Sequence, residues 1–113
     1  MCNCQNCQNV HYVISATDNT TDVELTITNP ADIGNLDPFI LIMNKNVQVP
    51  TAPVPVTVNI NGTAVPLNNK YGLQILSNRI PRRAVGAYVA PTTTPATDPY
   101  VILFSTPYCR CNA

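Results

Sequence analysis

Hydrophobic and polar residues alternate along most of this chain, with the period of two that is typical of a β-strand buried on one face. The clearest case is Val23–Ile27, where Val, Leu and Ile alternate with Glu and Thr. Residues 54–60 alternate in the same way. Further strands are predicted at residues 10–16, 73–76 and 84–90, and turns are predicted at the Asn-Pro pair 29–30 and the Asp-Pro pairs 37–38 and 98–99.

A hairpin is predicted where the strand at residues 54–60 meets Asn61-Gly62, because this pair tolerates the positive φ of a tight turn. The returning strand covers residues 63–67. Pro55 and Pro66 cannot donate backbone hydrogen bonds to a neighbouring strand. We therefore expect this hairpin at the edge of a sheet.

Two short runs, at residues 39–43 and 101–104, are apolar without alternation, as expected of strands covered on both faces. They are candidates for the centre of the domain or for a subunit interface. Eleven prolines against four glycines argue against helix, since proline in a helix interior costs about 3 kcal/mol. The sequence predicts an all-β domain of roughly seven to eight short strands, a β-sandwich of immunoglobulin-like or jelly-roll type, with a small β-barrel as the alternative.

The chain divides into a central domain and two short tails. At 113 residues it has room for one domain with one core. We assign residues 1–9 to a cysteine-rich N-terminal tail, 10–107 to the β-sandwich domain and 108–113 to a cysteine-containing C-terminal tail. Residues 47–55 and 91–99 are rich in Pro and Thr, which predicts extended loops that either lie along a neighbouring subunit or are ordinary surface loops.

Charged residues make up only 11% of the chain, well below the quarter or so of an ordinary soluble domain. A surface of Asn, Thr, Gln and Pro suits a subunit that becomes buried in an assembly, because these groups are less costly to desolvate than unpaired charges. The net charge is zero, so no overall field attracts nucleic acid or an anionic membrane. We find no signal-peptide pattern and no apolar run of transmembrane length, and expect a protein that is soluble where it is made.

The cysteines lie only near the two chain ends: Cys2, Cys4 and Cys7 at one, Cys109 and Cys111 at the other. A zinc site needs about four thiolate or imidazole ligands. Cys4 and Cys7 have the spacing of a zinc knuckle, and His11 is a substitute ligand. The two groups are expected to converge if the first and last strands are antiparallel neighbours, and to lie at opposite ends if those strands run parallel.

Disulfide bonds are a second interpretation of the same cysteines. They would staple the termini or link subunits, and the odd total of five leaves one thiol unpaired in a monomer. Without a signal peptide, oxidation would have to follow release from the cell. Free thiols on the two tails are the third interpretation.

A basic cluster, Arg79, Arg82 and Arg83, is the other candidate site. Such a cluster can pair with an acidic patch on a partner protein or contact packaged nucleic acid. No aromatic residues interleave with it, which favours a protein partner or solvent over nucleic acid. We find no nucleophile elbow, phosphate-binding glycine loop or paired carboxylates, and predict that the protein is not an enzyme.

Four stretches form a distinctive combination: the Met-Cys-Asn-Cys start, residues 61–67 (NGTAVPL), residues 70–88 from Lys-Tyr-Gly to Gly-Ala-Tyr, and the Cys-x-Cys-Asn-Ala ending. This combination resembles small structural proteins of tailed gut phages, nearest to the auxiliary capsid proteins of crAss-like phages. The resemblance implies a β-rich decoration subunit, made in the host cytoplasm and carried on the virion, that binds a major capsid protein or further copies of itself. It implies no site residues. A small zinc-thiolate or disulfide-crosslinked surface protein is the alternative.

Overall fold

The computed structural model describes residues 10–50 and 52–104, and within those ranges every regular element longer than one turn is a β-strand. Two single 3-10 turns, Pro30–Asp32 and Ser77–Arg79, interrupt the connections. The cysteines and both chain ends lie outside the described residues. The strands are β1 Val10–Asp18, β2 Val23–Ile27, β3 Pro38–Met43, β4 Val56–Ile60, β5 Thr63–Asn68, β6 Arg83–Val89, β7 Thr92–Thr93, β8 Ala96–Thr97 and β9 Tyr100–Leu103.

Seven of these strands close into a barrel in the order β1-β2-β4-β5-β9-β6-β3, and β3 is hydrogen-bonded back to β1. The all-β prediction is confirmed, and the alternative barrel, not the preferred sandwich, is the architecture found. Three parallel pairs, β1 with β3, β2 with β4 and β5 with β9, join what would have been open sheet edges into one ladder. Alternation in the sequence specifies which face points inward, but a sandwich and a barrel require the same alternation.

The barrel interior is filled by residues that alternate inward along each strand. On β2, Val23, Leu25 and Ile27 are buried while the residues between them are half-exposed. On β3, Phe39 and Leu41 belong to this interior core, whereas Ile40 lies on the outer face. The core therefore depends on strand alternation, as the sequence predicts.

The outer face of the β3–β6 wall is also apolar. Ile40 pairs with Val85, and each is only 1% exposed. The prediction that residues 39–43 are covered on both faces is thus confirmed for the first three residues, which are buried. Ile42 and Met43 are only half-buried. For residues 101–104 the prediction is wrong: Val101 and Leu103 are buried, whereas Ile102 is half-buried and Phe104 is exposed, the alternation of a strand covered on one face.

The hairpin forms as predicted, with φ of 54° at Asn61 and 89° at Gly62. Its expected position at a sheet edge is wrong, because β4 lies between β2 and β5, and β5 between β4 and β9. Pro66 is accommodated because β9 pairs with β5 only beyond it, at residues 67–68. Pro55 precedes β4, and its carbonyl still accepts a hydrogen bond from the Val23 N–H at 2.9 Å.

Two further segments differ from the sequence predictions. Residues 73–76 form isolated bridges, Asn68 with Gln74 and Pro55 with Leu76, instead of a strand. Residues 91–99 contain the short β7–β8 ribbon instead of an extended loop. Among the described residues, no helix is long and apolar enough to cross a membrane.

Candidate functional site

The two ends of the barrel carry different connections. We call one the groove end: β3, β5 and β9 finish there, and the connections 44–55 and 69–82 cover it. We call the other the knob end: β3 and β9 begin there, and it carries the connection 28–37 and the β7–β8 ribbon. Most of the large exposed hydrophobic side chains lie at these two ends.

An apolar groove of about 520 Å³ opens at the groove end. Its walls include Tyr71, Leu73, Leu76 and Phe104, which are all exposed, Tyr71 by 75% and Leu73 by 65%. The volume falls within the range of about 300–1,000 Å³ that is usual for binding pockets. Unburied hydrophobic side chains gathered around one concavity are typical of an interaction site and not of ordinary surface scatter. We call this feature the Tyr71 groove.

Backbone and side-chain hydrogen bonds fix the near wall of the Tyr71 groove. The Asn69 Oδ1 accepts from the N–H groups of Tyr71 at 2.9 Å and Leu73 at 3.1 Å, which closes a tight turn. Gly72 sits in this turn with φ of 82°, a conformation that favours glycine. The turn therefore presents Tyr71 and Leu73 to solvent on a constrained backbone.

Ile75 holds the middle of the same segment against the barrel. Its N–H donates to the Leu67 carbonyl at 2.8 Å, and its carbonyl accepts from the Val56 N–H at 3.0 Å. The Gln74 side-chain amide also donates to the Val56 carbonyl at 3.0 Å. One residue thus bridges the ends of β4 and β5, and the groove wall is anchored to two strands.

Ser77 anchors the far end of the segment. It is 2% exposed; its hydroxyl donates to the Ala52 carbonyl at 2.8 Å and accepts from the Val54 N–H at 3.2 Å. Its own N–H donates to the Val54 carbonyl at 2.8 Å. A buried serine therefore joins the two connections that cover the groove end.

The three arginines of the predicted basic cluster lie at the groove end but do not form one site. Arg79 lines the Tyr71 groove. Arg82 lines a separate recess of about 220 Å³ with Lys45. Arg83 is the exposed first residue of β6. The structure therefore gives Arg79 a rim position at an apolar surface, which the sequence cluster alone did not distinguish.

The groove carries a second cation at its rim. Lys70 also lines it, with its ammonium 5.1 Å from the centroid of the Tyr71 ring, within cation–π range. A rim of this kind combines apolar contact area with positive charge, a composition suited to an apolar side chain flanked by carboxylates.

Within the connection 28–37 at the knob end, Leu36 is the one large hydrophobic side chain that is exposed, by 63%. Its N–H donates to the Tyr88 carbonyl at 2.7 Å, and Asn35 Oδ1 accepts from the Ala90 N–H at 2.8 Å. The Leu36 φ is 66°, in the left-handed region that leucine rarely adopts. We call residues 34–37 the Leu36 knob.

No known protein family, curated protein or solved structure matches this chain. The two barrel ends are therefore the basis for a functional proposal.

The remaining candidates from the sequence fall into two groups. His11 is buried in the core, where its Nδ1 lies 2.7 Å from the Thr28 carbonyl and its ring packs edge-on against Phe39. Within residues 10–50 and 52–104, no group of three or more His, Cys, Asp or Glu residues could hold a metal ion. The proposed metal ligands lie outside the described residues: Cys2, Cys4, Cys7, Cys109 and Cys111.

Sequence reasoning missed the apolar residues of both ends. The sequence assigns Leu73 and Leu76 to a short strand and Phe104 to an apolar run covered on both faces, and it gives no sign that these three side chains are exposed. Leu36 carried a readable signal: it is a large apolar residue between Asn35 and Asp37, two turn-forming residues. A leucine inside a turn does not occupy an inward-facing strand position, so the pattern gives no reason to expect it to be buried.

Proposed function

We propose that this protein is a non-enzymatic structural subunit, an auxiliary or decoration subunit of a phage capsid that acts through protein–protein contacts at its groove end. The observation that carries the proposal is the Tyr71 groove, where exposed hydrophobic side chains surround a concave surface with two cations at its rim. Its wall is fixed by hydrogen bonds to two strands, so little ordering is required when a partner binds.

The energetics favour a covered groove. Burying one large hydrophobic side chain that was exposed stabilises a complex by about 1.5–3 kcal/mol. Tyr71 and Leu73 together therefore offer several kcal/mol to a partner that fills the groove. The scarcity of charge on the remaining surface lowers the desolvation cost of broader contact with a protein shell.

Quantitative mass spectrometry of particles purified from the phage that encodes the chain tests this role. We expect the protein to co-purify with the particles at a fixed ratio to the major capsid protein, and Leu73→Glu to lower that ratio. Thr63→Glu, an exposed change at the opposite end of β5, is the matched control. Recovery of the protein only in the particle-free fraction would overturn the proposal.

A second candidate, a zinc-thiolate or disulfide clasp, is favoured by the strand register. Val10 pairs with Ile40, Ile40 pairs with Val85, and the Phe104 N–H donates to the Val85 carbonyl at 2.8 Å. Val10 and Phe104 therefore lie in one row, separated by three strand spacings, about 14 Å along the sheet. Although β1 and β9 run in the same direction, β1 starts in the row where β9 ends.

The chain is long enough to bring the two cysteine groups together across that row. Cys7 is three residues from Val10, and Cys109 is five residues from Phe104. At about 3.5 Å per residue, these segments reach about 10 Å and 17 Å. Parallel first and last strands therefore do not force the two cysteine groups apart, because the two segments together are longer than the separation between Val10 and Phe104.

Native mass spectrometry with and without reductant tests the clasp. A zinc increment that survives reductant would support a metal site, and a mass loss that reductant reverses would support disulfides. The variant with Cys4 and Cys7 changed to Ser should lose either signal. A metal-free, fully reduced protein in both spectra would remove this second candidate.

A further inference from the structure

The groove end and the knob end carry opposite net charges within the described part of the chain. We propose that the Leu36 knob of one copy docks into the Tyr71 groove of the next, so that copies of this chain associate head to tail. The inference rests on the assembly role proposed above and names the partner at the groove as a second copy of this chain.

Charge is distributed unequally between the two ends. The groove end carries every basic residue of the described part of the chain: Lys45, Lys70, Arg79, Arg82 and Arg83. The acids of that end, Asp18, Asp22 and Glu24, lie on or between β1 and β2, and none of them lines the groove. The knob end carries Asp32, Asp37 and Asp98, and no basic residue within the described part.

The charges nearest the contact have opposite signs. Leu36 lies between Asp32 and Asp37 in the sequence, and both of these acids are exposed, while Lys70 and Arg79 line the groove. An apolar side chain flanked by carboxylates is the chemistry that an apolar groove flanked by cations recognises. Two groove ends brought face to face would instead oppose like charges, which disfavours a symmetric contact through this surface.

The knob is built to project. Hydrogen bonds to the backbone of Tyr88 and Ala90 fix its position, and the Asp37 N–H donates to the Gly34 carbonyl at 3.3 Å. The positive φ of Leu36 directs a hydrophobic side chain outward at the tip of this turn. Unfavourable backbone conformations are retained mainly where the surrounding structure enforces them, and they cluster at functional contacts.

The geometry of this contact determines the kind of assembly. It joins different surfaces of the two copies, so it is heterologous and produces a ring or an open filament instead of a closed dimer. We expect a contact between one turn and one groove to bury less than the roughly 1,200 Å² of a stable complex. Association of the free protein is therefore weak and becomes strong only when a shell holds many copies close together.

Sedimentation equilibrium of the full chain, in reductant so that disulfides do not contribute, tests the proposal. The knob variant is Leu36→Asn and the groove variant is Leu73→Glu. We expect the average mass of the wild-type protein to rise with concentration beyond that of a dimer, and more salt to reduce it. Each variant alone should remain monomeric, because it has lost one of the two surfaces.

An equimolar mixture of the two variants is the decisive sample. The knob of the groove variant can still dock into the groove of the knob variant, so we expect a heterodimer and nothing larger. A knob variant that associates like the wild-type protein, or a mixture that stays monomeric, would overturn the proposal. Circular dichroism of each variant confirms that folding is intact.

The result also separates this inference from the proposed function. A wild-type protein that stays monomeric at the highest concentration, yet co-purifies with particles, would overturn head-to-tail docking and leave the assembly role standing with another occupant in the groove. That occupant would be a different virion protein or the chain's own residues 105–113, which follow Phe104 at the groove. Head-to-tail association of a protein that does not co-purify with particles would support the docking of one copy into the next and overturn the proposed role in the capsid.

Discussion

Leu36 combines an unfavourable backbone conformation with an exposed hydrophobic side chain. Its left-handed backbone conformation costs about 1 kcal/mol or more, because it brings the Cβ close to the following carbonyl oxygen, and its side chain is largely exposed. No burial within the barrel offsets that cost. The position is therefore better explained by a contact outside the barrel than by folding.

Replacing Leu36 by Asn should make the protein more stable. Asn adopts positive φ more readily than leucine, so we expect a gain of about 0.5–1 kcal/mol and a rise of a few degrees in melting temperature. Leu73→Asn is the matched control, because Leu73 is equally exposed and has no positive φ. Thermal unfolding followed by circular dichroism measures both. A loss of stability in Leu36→Asn as large as in the control would contradict the role assigned to the backbone.

The strands show which elements are readable from sequence. Alternation placed β1, β2, β4, β5 and β6, and Asn61-Gly62 fixed the hairpin, because these signals are local. Closure of the barrel depends on pairings such as β5 with β9, whose residues lie far apart in the sequence. Residues 73–76 look like a strand, but their hydrogen bonds are divided between β4 and β5.

The candidate site was only partly readable for the same reason. The basic cluster was visible as a sequence feature, and Arg79 does line the groove. The groove itself brings residues 69–76 beside Phe104, and no local pattern reports that contact. Hydrophobicity indicated that these residues would be covered, but not whether by their own chain or by another.

Ser77 tests whether the groove segment is anchored as an element. Ser77→Ala leaves the Ala52 carbonyl and the Val54 N–H without their hydroxyl partner, and an unsatisfied buried group costs about 1–3 kcal/mol. We expect urea unfolding to show a loss of that size. Ser15→Ala, on the exposed face of β1, should change stability little. Equal effects of the two substitutions would mean that the Ser77 hydrogen bonds do not hold the segment.

On the scale of the whole molecule, the barrel separates a basic end from an acidic end. On the capsid role proposed above, replacing Arg82 and Arg83 by Glu should weaken attachment to particles without lowering the melting temperature, because both side chains are exposed. Co-sedimentation with particles measures attachment. Lys45→Glu, which changes the charge beside Arg82, tests whether a change in the overall charge of this end is enough to weaken attachment. Attachment unchanged by the double substitution would remove residues 82–83 from the interface and leave Arg79 at the groove to be tested alone.

Closure of the seven-stranded sheet also bears on how the protein tolerates crowding. An unpaired strand recruits other chains through its backbone, with little regard to their sequence, and this is a common origin of fibrous aggregates. Every strand of the main sheet already has two neighbours. A contact made through the main sheet must then rely on side chains, which discriminate between partners and release them on dilution. For the capsid role proposed above, a closed sheet would therefore allow many copies of the protein to accumulate before they assemble.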